Sequence, residues 1–440
     1  MASAQKDCRG EEEPSTEVQT ALDKYRKARR LNETADFIKC NQAFTCPNYQ
    51  PVPVAIVRGS GAVVWDVEGK QYYDFLAGVS SLSQGHCHPR IISALRTQAQ
   101  RLTLTLRSFY NDVTGPACRF MAEMFHYDLV LPMNTGAEAG ESAVKIARKW
   151  AYEVKGVPEN LAKIIMCKNN YWGRTIAACS SSTTYECYHN FGPFTPGFEL
   201  IDYDSIPALK TALEDPNVAA FFVEPIQGEG GVIVPADGYL RRAQELCGAH
   251  KVLLIVDEIQ TGLCRTGKLL ASDYDEVHPD ILLLGKSLSG GTLPISVVLS
   301  SAEVLNVLGP GTHGSTYGGN PLACAVAVEA LSVLQEERLA EKALTLGCRF
   351  RNRLEGALLK GQVPWIKEIR GKGLLNAIEV NGEAVDAEQL TLELKEKGIL
   401  TKPTRGTVLR FIPPLVITDK QLDDALDKII HVFVHHQRQQ

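Results

Sequence analysis

Between residues 130 and 320 the chain alternates short, wholly apolar runs with longer amphipathic stretches, and this alternation limits the possible folds more than any other feature. AKIIMCK (162–168), VAAFFVE (218–224), VLLIVDE (252–258) and ILLLGK (281–286) read as strands buried on both faces. AGESAVKIARKWAYEV (139–154) and GYLRRAQELCGAH (238–250), lying between such runs, read as helices. Strands separated by helices predict an α/β domain with a mostly parallel, doubly wound sheet, whose chemistry sits at the carboxyl ends of the strands.

A chain of 440 residues exceeds one compact core, so more than one domain is expected. Residues 86–325 form the expected large α/β domain, and 326–440 a smaller α+β domain with long helices and a final helix at 419–437. Residues 36–85 carry antiparallel strands, with hairpin alternation in 55–75. Residues 1–35, acidic at Glu11, Glu12 and Glu13, are expected to be a tail without fixed structure. A net charge of −5 gives no reason to expect nucleic acid or an anionic membrane as partner. No apolar run reaches the ~18 residues of a membrane span. The amino terminus lacks the apolar core of a secretory signal, and its acidity argues against a transit peptide, so the cytoplasm is the expected compartment. Twelve cysteines without CxxC pairs fit reduced thiols; Cys179 and Cys187 read as two free thiols, with a redox pair as the alternative.

Asp257 and Lys286 each close an apolar strand and should emerge side by side at the sheet edge. Pyridoxal phosphate needs this pair: an amine to hold its aldehyde carbon covalently and an acid to keep its pyridine nitrogen protonated. A structural ion pair accounts for strand position equally well. The small-residue turn SLSGG (287–291) beside Lys286 leaves room for a ligand. NTGAEAGESAVK (134–145) is a small-residue turn entering a helix, where free amides and the helix dipole can hold a phosphate.

IVDEIQTGLCRTG followed by DILLLGKSLSGG resembles the signature of the class III aminotransferases, a pyridoxal-phosphate family of fold type I. The resemblance implies that Lys286 is the catalytic, cofactor-bearing lysine. It implies cofactor contacts from Gly136 and Ala137 to the phosphate, from Tyr171 stacked on the ring, and from Trp172, Glu224, Asp257, Ile259 and Gln260 around it. Ser315 and Thr316 of HGSTYGGNP would reach the phosphate of a neighbouring subunit, which implies a homodimer with shared active sites. Longer blocks from about residue 47 onward, among them LPMNTGAEAGE, DPNVAAFFVEPIQGEGGV and RGKGLLNAI, resemble the family members that act on ornithine. The implied reaction moves the δ-amino group of L-ornithine to 2-oxoglutarate in two half-reactions.

Ornithine has two amino groups, so its α-carboxylate has to be anchored away from the reacting carbon, a task suited to a guanidinium fork. By resemblance Arg174 anchors ornithine and Arg410 anchors 2-oxoglutarate and glutamate, with Glu229 masking Arg410 in the ornithine half-reaction and Tyr49 near the substrate's α-end. Val79 departs from the pattern, which has a tyrosine there to bind the free α-amino group. A wall without that hydroxyl should tolerate N-acetylornithine or 4-aminobutyrate. A mutase or decarboxylase on the same fold, or a scaffold without chemistry, remain the competing readings.

Overall fold

The structure, a computed structural model, describes residues 16–359 and 363–436. The chain divides into two compact units: residues up to Arg58 with Trp65–Gln71, and Gly59–Val64 with Tyr72 onward. The smaller unit corrects one expectation. Thr16–Ala28 is helical where a tail was predicted, with Val18, Leu22 and Tyr25 spaced four and three apart along it. A second helix, Thr34–Phe44, is tied down at its start, where the amide and hydroxyl of Thr34 both donate to the Glu68 carboxylate. Residues 1–15 of the expected tail lie outside the described residues.

The larger unit is built on a seven-stranded sheet. Its strands are β1 (Leu129–Met133), β2 (Lys163–Cys167), β3 (Phe198–Ile201), β4 (Val218–Val223), β5 (Leu253–Asp257), β6 (Ile281–Leu284) and β7 (Ser296–Ser300). They lie in the order β1-β7-β6-β5-β4-β2-β3. β2 to β6 run parallel with one another, and only β7 is antiparallel to its neighbours β6 and β1. Every residue of β4, β5, β6 and β7 is buried, so their runs are continuous rather than alternating. Register assigns each residue to a face. Ile281, Leu283 and Val298 pack with Ala139, Ala143 and Ile146 of helix α1 (Gly136–Trp150). Leu282, Leu284, Val297 and Leu299 face the opposite way, toward helix α2 (Pro321–Glu336).

The carboxy-terminal segment adds helices α3 (Leu339–Leu354) and α4 (Asp419–His435) and a second sheet. The strands of that sheet are β8 (Ile366–Lys372), β9 (Leu375–Val380), β10 (Lys402–Thr404) and β11 (Val408–Phe411), ordered β8-β9-β11-β10 and all antiparallel. Phe350, Ile378, Leu409, Phe411 and Leu426 share one apolar cluster with the strand residues Leu282 and Leu284. That shared core explains why no compact boundary falls near residue 325.

The start of α1 is fixed by one close approach. A Cβ on Gly140 would lie 2.6 Å from Cε3 of Trp172, whose indole is buried against Phe198 and Phe222 and donates to Ser181 Oγ at 2.8 Å. Overpacking there should shift the helix or the indole. Gly140→Ala is therefore expected to cost about 1–3 kcal/mol, read as a lower urea midpoint of the cofactor-free protein. An unchanged midpoint would mean that the helix start is not set by this contact.

Candidate active site

The parallel strands deliver their last residues to one edge. Asp257 is the final residue of β5, Glu224 follows β4, Lys286 follows β6 and Tyr171 lies just beyond β2. β7 begins at the same edge, and its Ser296 hydroxyl donates to the carbonyl of Thr135 at the start of α1 at 2.7 Å. Lys286 opens a short turn, Lys286–Ser289, with φ +44, in the left-handed region that side chains rarely adopt.

Burial sets the charge state of this group of residues. It lowers the Lys286 ammonium, against the pull of Glu229, Asp257 and Glu224. It pushes Asp257 up to about 6, held back by the Ile259 amide, which donates to Oδ1 at 2.9 Å, and by Lys286. Glu224 rises to about 8 through burial and the nearby Asp257, although it accepts from the amides of Tyr171 at 3.0 Å and Gly228 at 3.3 Å. Burial pushes Glu229 up as well, but Arg410, Lys286 and Arg174 together bring it below the usual carboxylate range. Arg410 Nη1 donates to Glu229 Oε1 at 2.5 Å, and the guanidinium is only 6 % exposed.

The start of α1 carries a reciprocal cap. Thr135 Oγ1 accepts the amide of Glu138, and the Glu138 carboxylate accepts the amides of Asn134 and Thr135. The amides this cap leaves over are those of Gly136 and Ala137. Ile259 lies against both Gly136 and Gly285, and Ala137 lies against Gly173, so the turns after β2, β5 and β6 meet at the helix start. Gly228 leaves no room for a Cβ, which would fall 1.9 Å from Gln260 Oε1.

The family described as Aminotransferase class-III matches residues 44–433. The chain is 56% identical over 382 residues to the Drosophila melanogaster protein named ornithine aminotransferase, mitochondrial, covering 87% of this chain and 88% of that protein. Among solved structures, the ornithine aminotransferase of Toxoplasma gondii, with PLP partially occupying its active site, is 69% identical with a TM-score of 0.93 over 94% of this chain and 97% of that one. The acetylornithine aminotransferase of Elizabethkingia anophelis is 48% identical, with a TM-score of 0.84 over 92% of this chain and all (100%) of that one.

The chain is a class III aminotransferase. Its cofactor is pyridoxal 5′-phosphate, and the edge described above fits that group. Among the described residues, Gln260 Nε2 is a buried polar atom without a protein partner, as expected where a ligand supplies one. The other requirements are a buried amine, a carboxylate beside it and two capping-free amides at a helix start, all of them present. No cluster among the described residues could hold a metal.

The remaining sequence assignments fall at different distances from this edge. Arg174 lies with its guanidinium 5.7 Å from the Tyr171 ring centroid. The indole of Trp172 is turned into the core, where it packs at the start of α1. Val79 is half-buried in a turn of four left-handed residues, Ala77 to Ser80. That turn is bonded to the lysine turn through the Ser287 hydroxyl, which donates to the Ser80 carbonyl. Ser315 and Thr316 lie on a largely exposed loop. Tyr49 belongs to the smaller unit and is exposed, so its assignment rests on sequence alone.

Sequence reading missed several supports. Arg265 is fully buried; it donates to Ser83 Oγ at 3.1 Å and to the carbonyls of Pro413 at 2.6 Å and Leu374 at 3.1 Å. Ser83 Oγ in turn lies 2.7 Å from Ser287 Oγ. Thr404 and Arg405 hold the Glu229 carbonyl, and Arg370 holds that of Gly231. Arg265 lies in IVDEIQTGLCRTG and Arg370 in RGKGLLNAI, but nothing in either segment shows which way the side chain points.

The buried carboxylates make stability depend on pH. Glu224 keeps its proton to about pH 8 when folded but only to 4.5 when unfolded, so stability is lost as pH rises through that window. Glu224→Gln removes this loss. The stability of cofactor-free Glu224→Gln relative to wild type should therefore climb as pH rises from 4.5 to about 8. A pH-independent difference in urea unfolding would contradict the assignment.

Proposed function

We propose that this aminotransferase moves the δ-amino group of L-ornithine to 2-oxoglutarate, giving glutamate 5-semialdehyde and glutamate by a ping-pong mechanism. The observation that carries the reading is the closed Glu229–Arg410 bridge beside the buried Lys286 amine. In this reading bound pyridoxal phosphate supplies an electron sink for the charge left on the substrate carbon. Gly136 and Ala137 hold its phosphate through their amides, Tyr171 covers its ring, and Asp257 keeps the ring nitrogen protonated. Ile259 packs against the ring, Gln260 donates to the ring hydroxyl, and Glu224 supports Asp257 or Gln260.

Lys286 Nζ, with its pKa lowered by burial, takes the proton from the δ-carbon of ornithine. General acid–base work of this kind contributes about 10²–10⁴ in rate. Arg174 fixes the ornithine α-carboxylate, while Glu229 keeps Arg410 from competing for it. When 2-oxoglutarate arrives, its α-carboxylate displaces Glu229 from Arg410. This pairing favours a two-substrate transaminase over a mutase or decarboxylase, which has no second carboxylate substrate to admit.

The active sites are proposed to be completed in a homodimer, with Ser315 and Thr316 reaching the neighbouring subunit's phosphate. Support comes from a groove of about 590 Å³ lined by residues 104–111, Thr316 and Gly319, where Phe109 and Tyr110 are exposed. In functional terms residues 86–325 carry the cofactor, 326–440 supply Arg410, and 36–85 supply Val79. Neither nucleic acid nor membrane enters the proposal; among the described residues no helix is long and apolar enough to cross a membrane. The sequence favours the cytoplasm, whereas the Drosophila relative is named mitochondrial, and immunolocalisation of the full-length chain separates the two.

Val79 supports a second reading, in which N-acetylornithine or 4-aminobutyrate is also a donor. Valine offers no hydrogen bond to a free α-amino group, and one of the similar solved structures is an acetylornithine aminotransferase.

Two measurements test these readings. Adding ornithine to the purified enzyme should bleach its yellow absorbance, 2-oxoglutarate should restore it, and Lys286→Ala should do neither. Val79→Tyr should raise kcat/KM for ornithine relative to N-acetylornithine by roughly tenfold or more, the scale of one specific hydrogen bond. Unchanged ratios would show that Val79 does not set donor choice.

A further inference from the structure

The loop that carries Ser315 and Thr316 hangs on the same helix that offers its own subunit's phosphate amides. Two side chains far apart in sequence make the attachment. Asn134, just before α1, donates from Nδ2 to Ser315 Oγ at 2.9 Å, while its own amide donates to Glu138 Oε2 at 2.8 Å. At the other end of the loop, His313 is held by Lys145 Nζ on Nδ1 and by Ser142 Oγ on Nε2, each at 2.9 Å.

The hydrogen positions follow from the donor inventory. An ammonium only donates, so His313 Nδ1 accepts from Lys145 and Nε2 carries the hydrogen. That hydrogen goes to Ser142 Oγ, and the Ser142 hydroxyl donates onward to the Glu138 carbonyl at 2.6 Å. Burial and Lys145 both lower the His313 pKa, which keeps the ring neutral. Ser315 Oγ accepts from Asn134 Nδ2 and, at 3.0 Å, from the Gly318 amide. With both lone pairs engaged, the Ser315 hydroxyl has only its proton left to offer, the polarity an anion requires.

We propose that Asn134 and His313 are positioning residues for the cofactor phosphate of the neighbouring subunit: they suspend the 313–318 loop from the helix of one site so that Ser315 and Thr316 serve the other. The proposal rests on the reading that these two residues act across a dimer. Its consequence is that the two cofactor sites are mechanically linked. A defect at Asn134 in one chain should loosen the cofactor bound by its partner.

Hybrid dimers purified through two different tags test this directly. The readout is the rate at which yellow absorbance is lost when the holoenzyme is diluted into a trap for free cofactor. A Lys286→Ala chain contributes no such absorbance, so the colour reports one site only. The Asn134→Ala homodimer should release cofactor up to about tenfold faster than wild type, the scale of one net hydrogen bond. Pairing Asn134→Ala with Lys286→Ala should restore slow release, because the coloured site is then served by an intact loop. Pairing wild type with the double variant Asn134→Ala, Lys286→Ala should give fast release.

The opposite pattern, or unchanged release in every combination, overturns the proposal. Ser315→Ala in the same two arrangements separates the two levels. If its defect stays in its own subunit, or if the protein is a monomer, the cross-subunit reading fails. If the Ser315 defect crosses and the Asn134 defect does not, only the present proposal fails. His313→Ala carries the same hybrid test should Asn134→Ala not assemble. His313→Gln, which can both accept from Lys145 and donate to Ser142, should recover slow release; if it behaves as His313→Ala does, the His313 part of the proposal falls.

Discussion

The structure depends on keeping the Lys286 amine, the Asp257, Glu224 and Glu229 carboxyl groups and the Arg410 guanidinium together at an edge largely shut off from water, while Arg174 is exposed. Burying any one of these charges alone is costly, and the cost is offset only when they face one another with their remaining polar atoms bonded. Lys286 is opposed by Glu229 and Asp257, Arg410 is capped by Glu229, and Glu224 keeps its proton to about pH 8. Removing Glu229 would leave the buried Arg410 unmatched, so these charges have to be assembled as a set. A parallel sheet does this economically, because all its strands end at the same edge. The lone antiparallel strand β7 also begins there and ties the start of α1 to the lysine side of the sheet.

The same electrostatics explain why the second arginine is masked. In the proposed reaction this bridge keeps Arg410 from the ornithine α-carboxylate and opens to that of 2-oxoglutarate. The backbone around Glu229 is pinned from the second sheet by Thr404, Arg405 and Arg370.

Much of the fold was legible because the central strands are buried on both faces and read as unbroken apolar runs. Two strands of this sheet left no such run: Phe198–Ile201 is only partly buried, and Ser296–Ser300 is fully buried but has serine at both ends of its apolar centre. The helix at Thr16–Ala28 was hidden by its acidic, polar surroundings. Lys286 and Asp257 were legible because strand ends mark the edge. Asn134, Arg265, Ser83 and Ser287 were not: their contacts join residues that are 181, 148 and 204 positions apart, and no local pattern encodes such a pair.

Lys286 is the residue proposed to carry the cofactor. Borohydride reduction of the holoenzyme fixes that bond, and peptide mass spectrometry then locates it. The cofactor-derived mass is predicted on the peptide containing Lys286 and on no other. A label on a different lysine, or a reduced protein with no covalent label, would contradict the assignment and the charge arrangement built around it.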